Sequence, residues 1–404
     1  MPSTLPEGDP PPTDGSLPLS ALRELHDGTA FGIYVHVPFC TTRCGYCDFN
    51  TYTATELGGG GAQQAYPAVV LDEVALAARV LDGAAPPVDT VFFGGGTPTL
   101  LDPADLGRML DGIDKAFGLV RHPEVTIEAN PESVSPDSLR ALRAAGFNRI
   151  SLGMQSVAPH VLALLDRQHT PGRATAAAQE ARDAGFAHVN LDLIYATPGE
   201  RPEDFEASLD AAISAGVDHI SAYSLIVEDG TRFAARVRRG EISDTDDDVA
   251  ADRYLIADER LAAAGFAWYE VSNWARSPED ACRHNLGYWR GGHWWGFGPG
   301  AHSHVGGVRW WNVKHPTAYA GRLEELASPA YARESLTPED RHVEDVMLRL
   351  RLAEGLSLAT LSPAERAAAD AAVADGRLRY ASGRVVLTLR GRLLADGVIR
   401  DLLS

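Results

Sequence analysis

The sequence predicts an α/β protein built on a parallel sheet or a partial barrel, and three observations lead there. Six apolar runs of strand character alternate with Ala- and Leu-rich segments of helical period. Two of those helical segments end in similar turns, LRAAGF at 142–147 and ARDAGF at 181–186, each with Gly where a helix C-cap is needed before the next strand. The 404 residues, 45% of them hydrophobic, suffice for two or three domains or for one large barrel with an appendage.

The elements follow in order. Residues 1–29 are Pro-rich and poor in apolar periodicity, and read as disordered. The first strand is GIYVHVP at 32–38; the others are TVFFGGG (90–96), EVTIEAN (124–130), RISLGMQS (149–156), HVNLDLIYATPG (188–199) and HISAYSLIVE (219–228). The glycine run Gly58–Gly61 follows no strand and lacks a Lys-Ser/Thr partner, so it reads as a flexible insertion and not as a phosphate loop. Beyond the sixth unit the composition changes: all seven tryptophans, Trp268, Trp274, Trp289, Trp294, Trp295, Trp310 and Trp311, fall between 268 and 311. His284, His293, His302 and His304 lie among them. At the C-terminal end, RLRYASGRVVLTLRG reads as a hairpin about a Ser-Gly turn and LLADGVIRDLL as a closing helix. The expected divisions are a disordered segment at 1–29, a barrel core at 30–235, an extension at 236–335 and a C-terminal module at 336–404.

Composition excludes several classes. With 36 Lys plus Arg against 55 Asp plus Glu, the formal charge of −19 repels phosphate backbones, so nucleic acid is not an expected partner. The C-terminal module carries ten Arg against ten acidic residues and has no basic face. Four cysteines, three of them in one tight motif, match a reducing compartment and not a disulfide framework. No stretch approaches the ~18 apolar residues of a membrane span, and the acidic, Pro-rich N-terminus is unlike a signal peptide, so a cytoplasmic protein is expected.

The chemistry is concentrated in VPFCTTRCGYCDFN, where Cys40, Cys44 and Cys47 have C-x3-C-x2-C spacing at the end of an apolar strand. Three thiolates can hold a [4Fe-4S] cluster by three of its irons and leave the fourth open to a small molecule. A structural zinc site would need four closed N/S ligands. The remaining cysteine, Cys282, is distant in sequence, and the nearest histidine, His36, lies on the incoming strand. Since ligands of α/β sheets gather at the carboxyl ends of strands, Cys40, Gly94 to Thr97, Glu128, Gln155 and Asp192 are expected on one rim.

CxxxCxxC after the first strand, GGGTPT after the second, EANPES after the third, then SLGMQS and NLDLIYATPG, resemble the radical S-adenosylmethionine (radical SAM) superfamily. More narrowly they resemble its coproporphyrinogen-dehydrogenase-like branch, from about Gly32 to the C-terminus. The resemblance implies a partial (β/α)6 radical SAM barrel with a C-terminal α+β extension that includes a winged-helix-like module. It also implies S-adenosylmethionine on the open iron, whose reduction yields a 5'-deoxyadenosyl radical. On that reading Gly95 and Gly96 allow close backbone approach and Thr97 offers a hydroxyl. Glu128 suits the cofactor's ammonium or ribose, Asp192 the ribose diol and Arg167 the carboxylate. Tyr34 lies near the cluster, Tyr46 flanks adenine or the cluster, and Gln155 ends a strand as a neutral donor and acceptor.

RHNLGYW, Arg283 to Trp289, resembles the HNxxYW signature that separates the heme chaperones of this branch from the oxygen-independent coproporphyrinogen oxidases. Two departures agree: the oxidases carry a further cysteine where this chain has Phe49, and only about 30 residues, fewer than in the oxidases, precede the first strand. Clustered aromatics and imidazoles between glycines suit a large flat metal-bearing ligand such as heme, with His284 as the candidate donor to its iron; Cys282 is a soft ligand or a small buried side chain. The resemblance thus implies a heme chaperone with a [4Fe-4S] cluster and S-adenosylmethionine. Its partners would be heme and heme-accepting apoproteins such as membrane respiratory enzymes, and a homodimer is compatible with it. The alternatives are an oxygen-independent coproporphyrinogen III dehydrogenase or another radical porphyrin-modifying enzyme.

Overall fold

A computed structural model describes residues 7–26 and 28–404. Six strands with crossover helices form the frame: β1 (Phe31–Val37), β2 (Val88–Gly95), β3 (Leu119–Ala129), β4 (Arg149–Gln155), β5 (His188–Tyr195) and β6 (His219–Ser224). Each pairs in parallel with the next, as the expected strand-helix alternation requires. The crossover helices start on strong signals. Ser135 and Ser138 form a capping box before Pro136–Ala144, and Asp102 accepts from the Ala104 N–H ahead of Pro103–Phe117.

The sheet is twice as wide as the six units. β7 (Ala267–Glu270) and β8 (Asn273–Ala275) extend it beyond β6, and β9 (His293–Phe297), β10 (His302–Val305), β11 (Val308–Asn312) and β12 (Ala330–Ser335) extend it beyond β1. The twelve strands run in the order β12-β11-β10-β9-β1-β2-β3-β4-β5-β6-β8-β7. The two ends do not pair with each other, so the barrel is partial. Trp- and His-rich sequence that periodicity alone did not assign is thus largely edge strand, with β9 parallel to β1 and the next three antiparallel.

The sheet has two chemically different faces. Ile33, Val35, Val37, Val91, Phe93, Val125, Ile127, Ile150, Leu152, Leu191 and Leu193 point outward under the helices and are fully buried. The alternate positions, Tyr34, His36, Thr126, Glu128, Ser151, Asn190, Asp192 and Ser221, are polar and share the inner face through the strand register. Parallel sheets buried on both sides ordinarily read as unbroken hydrophobic runs. This one alternates because its concave side is a polar lumen.

The reading of residues 1–29 as disordered is corrected for the described part; residues 1–6 and 27 lie outside the described residues. Asp9 exchanges two backbone hydrogen bonds with Arg333 of β12, at 2.8 and 2.9 Å, and the Ser328 N–H donates to the Thr13 carbonyl at 2.7 Å. Ala21, in the helix Leu19–Glu24, packs so tightly on Gly306 that a Cβ there would lie 2.4 Å from the Ala21 Cα. The segment has no core of its own, and it orders by covering the edge strand of another.

Beyond residue 338 a second core gathers Val346, Leu350, Leu378, Val385, Val398 and Leu402. Its small sheet has the order β13-β15-β14, from Leu356–Ser357, Leu378–Ala381 and Arg384–Leu387. The hairpin turns on Ser382 and Gly383, both at positive φ (49° and 76°), the requirement of a type I′ turn. This module is fastened by Arg392, whose guanidinium donates to both Asp258 oxygens at 2.8 and 2.7 Å and lies 4.5 Å above the Trp268 ring. The buried Trp274 Nε1–H donates to the same carboxylate at 3.1 Å.

Arg392→Ala leaves Asp258 half-buried without its bidentate partner and is expected to cost about 2 to 4 kcal/mol. Calorimetry should show a separate, earlier melting transition for the C-terminal core. Because lysine lacks the planar fork, Arg392→Lys should recover less than half of the loss. A single unshifted transition in both variants would refute the clamp.

Candidate functional site

The cysteine loop hangs from the carboxyl end of β1 and is tied down at several points. Cys40 N–H donates to the Tyr52 carbonyl at 3.0 Å, Tyr52 N–H to Pro38 at 2.7 Å, and Gly45 N–H to Leu165 at 3.3 Å. His36 reaches back from the strand, its Nε2 2.8 Å from the Asn50 carbonyl, while the Asn50 amide donates to the Pro299 and Lys314 carbonyls at 2.9 Å each. The loop is therefore positioned by β1, by the segment after β4 and by the return after β9.

Cys40, Cys44 and Cys47 are free and half-buried. Burial, reinforced by the neighbouring Cys47 and opposed by the Thr97 hydroxyl, pushes the Cys40 thiol up to about 11. Burial raises Cys47 as well. These two thiols stay protonated unless a positive centre binds them, which is the electrostatic requirement for a metal-sulfur group. Among the described residues, the group of three or more donors whose ligand atoms all lie within 4.8 Å of one another is His188, Asp218 and Asp280. The three sulfurs therefore do not converge as around one zinc, where Zn–S bonds of ~2.3 Å would bring them to within about 4 Å. Their wider spread fits a polynuclear cluster.

The glycines after β2 are demanded by close approach. A Cβ on Gly96 would lie 2.5 Å from the Phe39 carbonyl oxygen, and one on Gly95, at φ +109°, 2.5 Å from the His36 ring. Their absence lets the cysteine loop pack on β2, where Gly96 N–H donates to Val37 at 2.8 Å and Thr97 N–H to Phe39 at 2.7 Å. The Thr97 hydroxyl then stands 4.0 Å from Cys40 Sγ. Gly95 N–H donates to Glu128 Oε2 at 2.9 Å.

Glu128 and Asp192 face one lumen. Burial, with the Asp192 charge added, raises Glu128 to about 7; burial raises Asp192 too, opposed by its hydroxyl and amide donors. Ser151 donates to Asp192 at 2.8 Å and the Asn190 amide does so at 2.8 Å, fixing the carboxylate's orientation. Two half-enclosed acids, of which only Asp192 feels a cation, Arg167, suit a ligand that carries positive charge and hydroxyl donors.

Arg167 lies across the inner face toward the cluster loop. Its Nη1 is 3.5 Å from Cys44 Sγ, its Nη2 donates to the Gly153 carbonyl at 2.9 Å, and its Nε donates to His169 Nε2 at 3.1 Å. A Cβ on Gly153 would come within 2.7 Å of Nη2 and 2.9 Å of the Gln155 amide, so glycine in SLGMQS makes room for both side chains. Gln155 itself sits at positive φ (65°) on a register shift that re-aims it at the end of β4. Tyr34 hydrogen-bonds His36 Nδ1 at 2.9 Å. Tyr46, inside the cysteine loop, packs against Ile194, Leu225 and Phe233. The structure thus brings Tyr34, Tyr46, Gly95, Gly96, Thr97, Glu128, Gln155, Arg167 and Asp192 to one rim with the three cysteines.

His284 is the exception. It belongs to the helix α3 (Arg283–Trp289), which follows α1 (Gly61–Leu81) and α2 (Asp247–Ala263) in the chain. α3 enters the lumen beside β1 and β2 at their amino ends. There Thr90 Oγ1 is 2.7 Å from His284 Nδ1, Tyr288 Oη is 2.7 Å from Nε2, and the ring stacks on Phe92 with centroids 5.2 Å apart. Burial holds its pKa down to about 3. His284 was the expected donor to heme iron; in this structure both of its ring nitrogens are hydrogen-bonded and the side chain floors the lumen. Cys282 is buried against Glu124, its Sγ 3.6 Å from Oε1, at the end of the strands away from the cluster loop.

Sequence reasoning missed the orienting shell, Thr90, Phe92, Ser151, Asn190 and Tyr288. Its signal was available, since in VTIEA, NLD and ISL the polar residues recur at every second position. His188, Asp218 and Asp280 sit at the amino end of β5, where Asp218 anchors Val189 N–H at 2.9 Å and Asp280 the Ser277 hydroxyl at 2.7 Å. The nearby Arg149 guanidinium, which donates to the Asp280 carbonyl at 2.8 Å, makes this a charge-pair lattice.

With that geometry described, similarity to known proteins is informative. Residues 34–212 match the radical SAM superfamily, and residues 336–394 match the HemN C-terminal domain. The chain is 58% identical over 377 residues to the heme chaperone HemW of Mycobacterium tuberculosis (strain ATCC 25618 / H37Rv), covering 93% of this chain and 96% of that one. It is 33% identical over 385 residues to the heme chaperone HemW of Escherichia coli (strain K12), covering 92% and 98%. The solved structure of coproporphyrinogen III oxidase (HemN) from Escherichia coli, described as a radical SAM enzyme, superposes with a TM-score of 0.81 over 97% of this chain and 94% of that one, at 23% identity. That likeness establishes the fold.

A carboxyl group raised to about 7 holds its proton below that pH and must lose it to pair with a cation. S-adenosylmethionine affinity of the cluster-loaded protein should therefore rise between about pH 6 and 8, at most tenfold per unit, with proton release on binding. Glu128→Gln should flatten the profile. Calorimetric titration in two buffers of different ionisation heat measures both, and a pH-independent affinity in the parent protein would remove Glu128 from the cation site.

Proposed function

Because the chain belongs to the radical SAM superfamily, in the branch of the bacterial heme chaperones HemW, we propose that it is a cytoplasmic heme carrier. It binds heme and passes it to acceptor apoproteins, among them membrane-bound respiratory heme enzymes. The observation that carries this reading is the 58% identity across 96% of the mycobacterial HemW. Phe49 supports it: where the oxidases have a further cysteine, this chain presents an apolar ring that is 46% exposed beside the thiols.

Cys40, Cys44 and Cys47 hold the [4Fe-4S] cluster, and Arg167, Glu128, Asp192, Gln155, Tyr34 and Tyr46 with the Gly95–Thr97 turn hold S-adenosylmethionine. When bound, the pair supplies one-electron radical chemistry. The chain's own residues set the surroundings. Arg167 places a guanidinium 3.5 Å from the Cys44 sulfur. Ser151 and Asn190 fix Asp192 for a diol. α3 lines the lumen floor with His284 and Tyr288, whose rings meet edge to face.

A second reading, oxidative decarboxylation of coproporphyrinogen III, is favoured by the shared fold with the Escherichia coli oxidase. One anaerobic experiment separates the two. Cluster-loaded protein titrated with hemin should take up one equivalent per chain, should form no protoporphyrinogen from coproporphyrinogen with reductant and S-adenosylmethionine, and should deliver heme to an apo-acceptor. Product formation without stoichiometric hemin uptake would replace the carrier by the enzyme.

A further inference from the structure

One polar side chain of the cysteine loop has no partner. Among the described residues, three threonine hydroxyls are buried without a hydrogen bond, those of Thr51, Thr126 and Thr197, and of these Thr51 belongs to the loop that bears the thiols. Thr51 is 1% exposed. A hydroxyl shut away from water and left unmet costs about 1 to 3 kcal/mol, a cost that alanine or valine in its place would not incur.

The loop fixes where that hydroxyl points. On either side of it, Asn50 and Tyr52 both turn to the return after β9. The Asn50 amide donates to the Pro299 and Lys314 carbonyls at 2.9 Å each, and the Tyr52 hydroxyl donates to Asn50 Oδ1 at 3.1 Å and to the Lys314 carbonyl at 3.3 Å. Tyr52 also bridges Phe39 in parallel, and in such extended backbone successive side chains leave opposite faces. Thr51 therefore turns away from the return, to the side of the sulfurs. Its backbone is pinned, since the Arg43 guanidinium donates to the Thr51 carbonyl, and its β-branched side chain is stiff about χ1.

Both neighbouring thiols feel this hydroxyl. Burial raises Cys40 and Cys47, and Thr51 opposes burial at each of them, as Thr97 does at Cys40. The three sulfurs are thus served by different donors: Cys44 by Arg167 Nη1 at 3.5 Å, Cys40 by Thr97 Oγ1 at 4.0 Å, and Cys40 and Cys47 together by Thr51. A thiol is a weak acceptor and a thiolate a strong one, so Thr51 gains its full partner when the sulfurs are ligated. Hydrogen bonds to the sulfurs help set the reduction potential of an iron-sulfur cluster. Reduction adds negative charge, which a donor stabilises, so each such bond makes the cluster easier to reduce.

We propose that Thr51 is a hydroxyl donor to the Cys40 and Cys47 sulfurs of the cluster-loaded protein and raises the potential at which the cluster accepts an electron. The proposal rests on the reading of Cys40, Cys44 and Cys47 as ligands of a [4Fe-4S] cluster.

The test is an anaerobic redox titration of full-length, cluster-loaded protein, read by electron paramagnetic resonance of the reduced cluster, for the parent and for Thr51→Val, Thr51→Ala and Thr51→Ser. Iron and sulfide content and far-ultraviolet circular dichroism certify each variant. Valine keeps the shape and removes the hydroxyl; alanine makes the same deletion if the loop does not accept the second methyl. Both deletions should make reduction about tenfold less favourable, a midpoint lower by ~59 mV for one electron, and Thr51→Ser should recover most of that shift. Deletion variants that hold an intact cluster at the parent's midpoint overturn the proposal and leave the cluster assignment standing. A serine variant as low as the valine one also overturns it, because packing and not the hydroxyl would then set the shift. A parent that assembles no [4Fe-4S] cluster overturns the cluster assignment and the proposal with it.

Discussion

A sheet enclosed on both sides cannot carry a polar face unless each inward group finds a partner, because a buried donor or acceptor left alone costs more than a typical hydrogen bond returns. This requirement organises the molecule. The outward residues of β1 to β6 are ordinary core, and any aliphatic set of similar volume would serve them. The inward residues form a chain of obligations: Ser151 to Asp192, Asp192 to Asn190, Asn190 to Ser221 and His219, His219 to Tyr269. What the network leaves unneutralised, Glu128 and Asp192 at one end and three thiols at the rim, marks where a ligand must complete it.

The additions to the sheet serve the same end. α3 enters the lumen with two groups, His284 and Tyr288, that bond each other and Thr90, so the plug is polar where it meets the polar face and aromatic where it meets Phe92 and Trp294. On the far side, the buried Glu73 of α1 accepts from Gly298 N–H at 2.8 Å, from the Asn312 amide at 2.8 Å and from the Tyr319 hydroxyl. Burial still raises its pKa to about 7. Glu73 thereby fixes the return between β9 and β10, and that return holds Asn50 of the cysteine loop through the Pro299 carbonyl. The rim is rigid because a helix, a return loop and a strand share one carboxylate.

How much of this was legible differs between the two halves. The six parallel units could be read because each is local: a strand, a glycine-capped helix and a strand-end motif lie within some thirty residues, and period-2 or helical patterning survives in each. The extension could not be assigned in that way. β9 pairs with β1 across more than 250 residues of chain, as Phe31 opposite His293 shows, and its WW and GFGPG composition carries no strand signature of its own. The N-terminal segment misled for the related reason that its order comes from Arg333 and Ser328, neither of which its composition can announce. His284 illustrates the limit at the site: its motif could not announce that Thr90 and Tyr288, contributed by another strand and by the next helical turn, are its hydrogen-bond partners.

The same contrast separates two kinds of donor on one sheet. The cysteine loop offers thiolates, which favour an iron-sulfur cluster, with a guanidinium beside one sulfur. The wall formed by β9 to β11 offers indoles, imidazoles and basic groups but no thiol; Cys282 is held under α3 against Glu124. Soft sulfur and borderline imidazole therefore lie on separate strands of one sheet, with β1 between them, where His36 bonds Asn50 of the cysteine loop and Tyr34. A change in the cluster loop that moved Asn50 would reach the added strands directly, through the Pro299 and Lys314 carbonyls that its amide bonds. The continuity of the inner face, more than the identity of any one residue, is what ties the cysteine rim to the added strands.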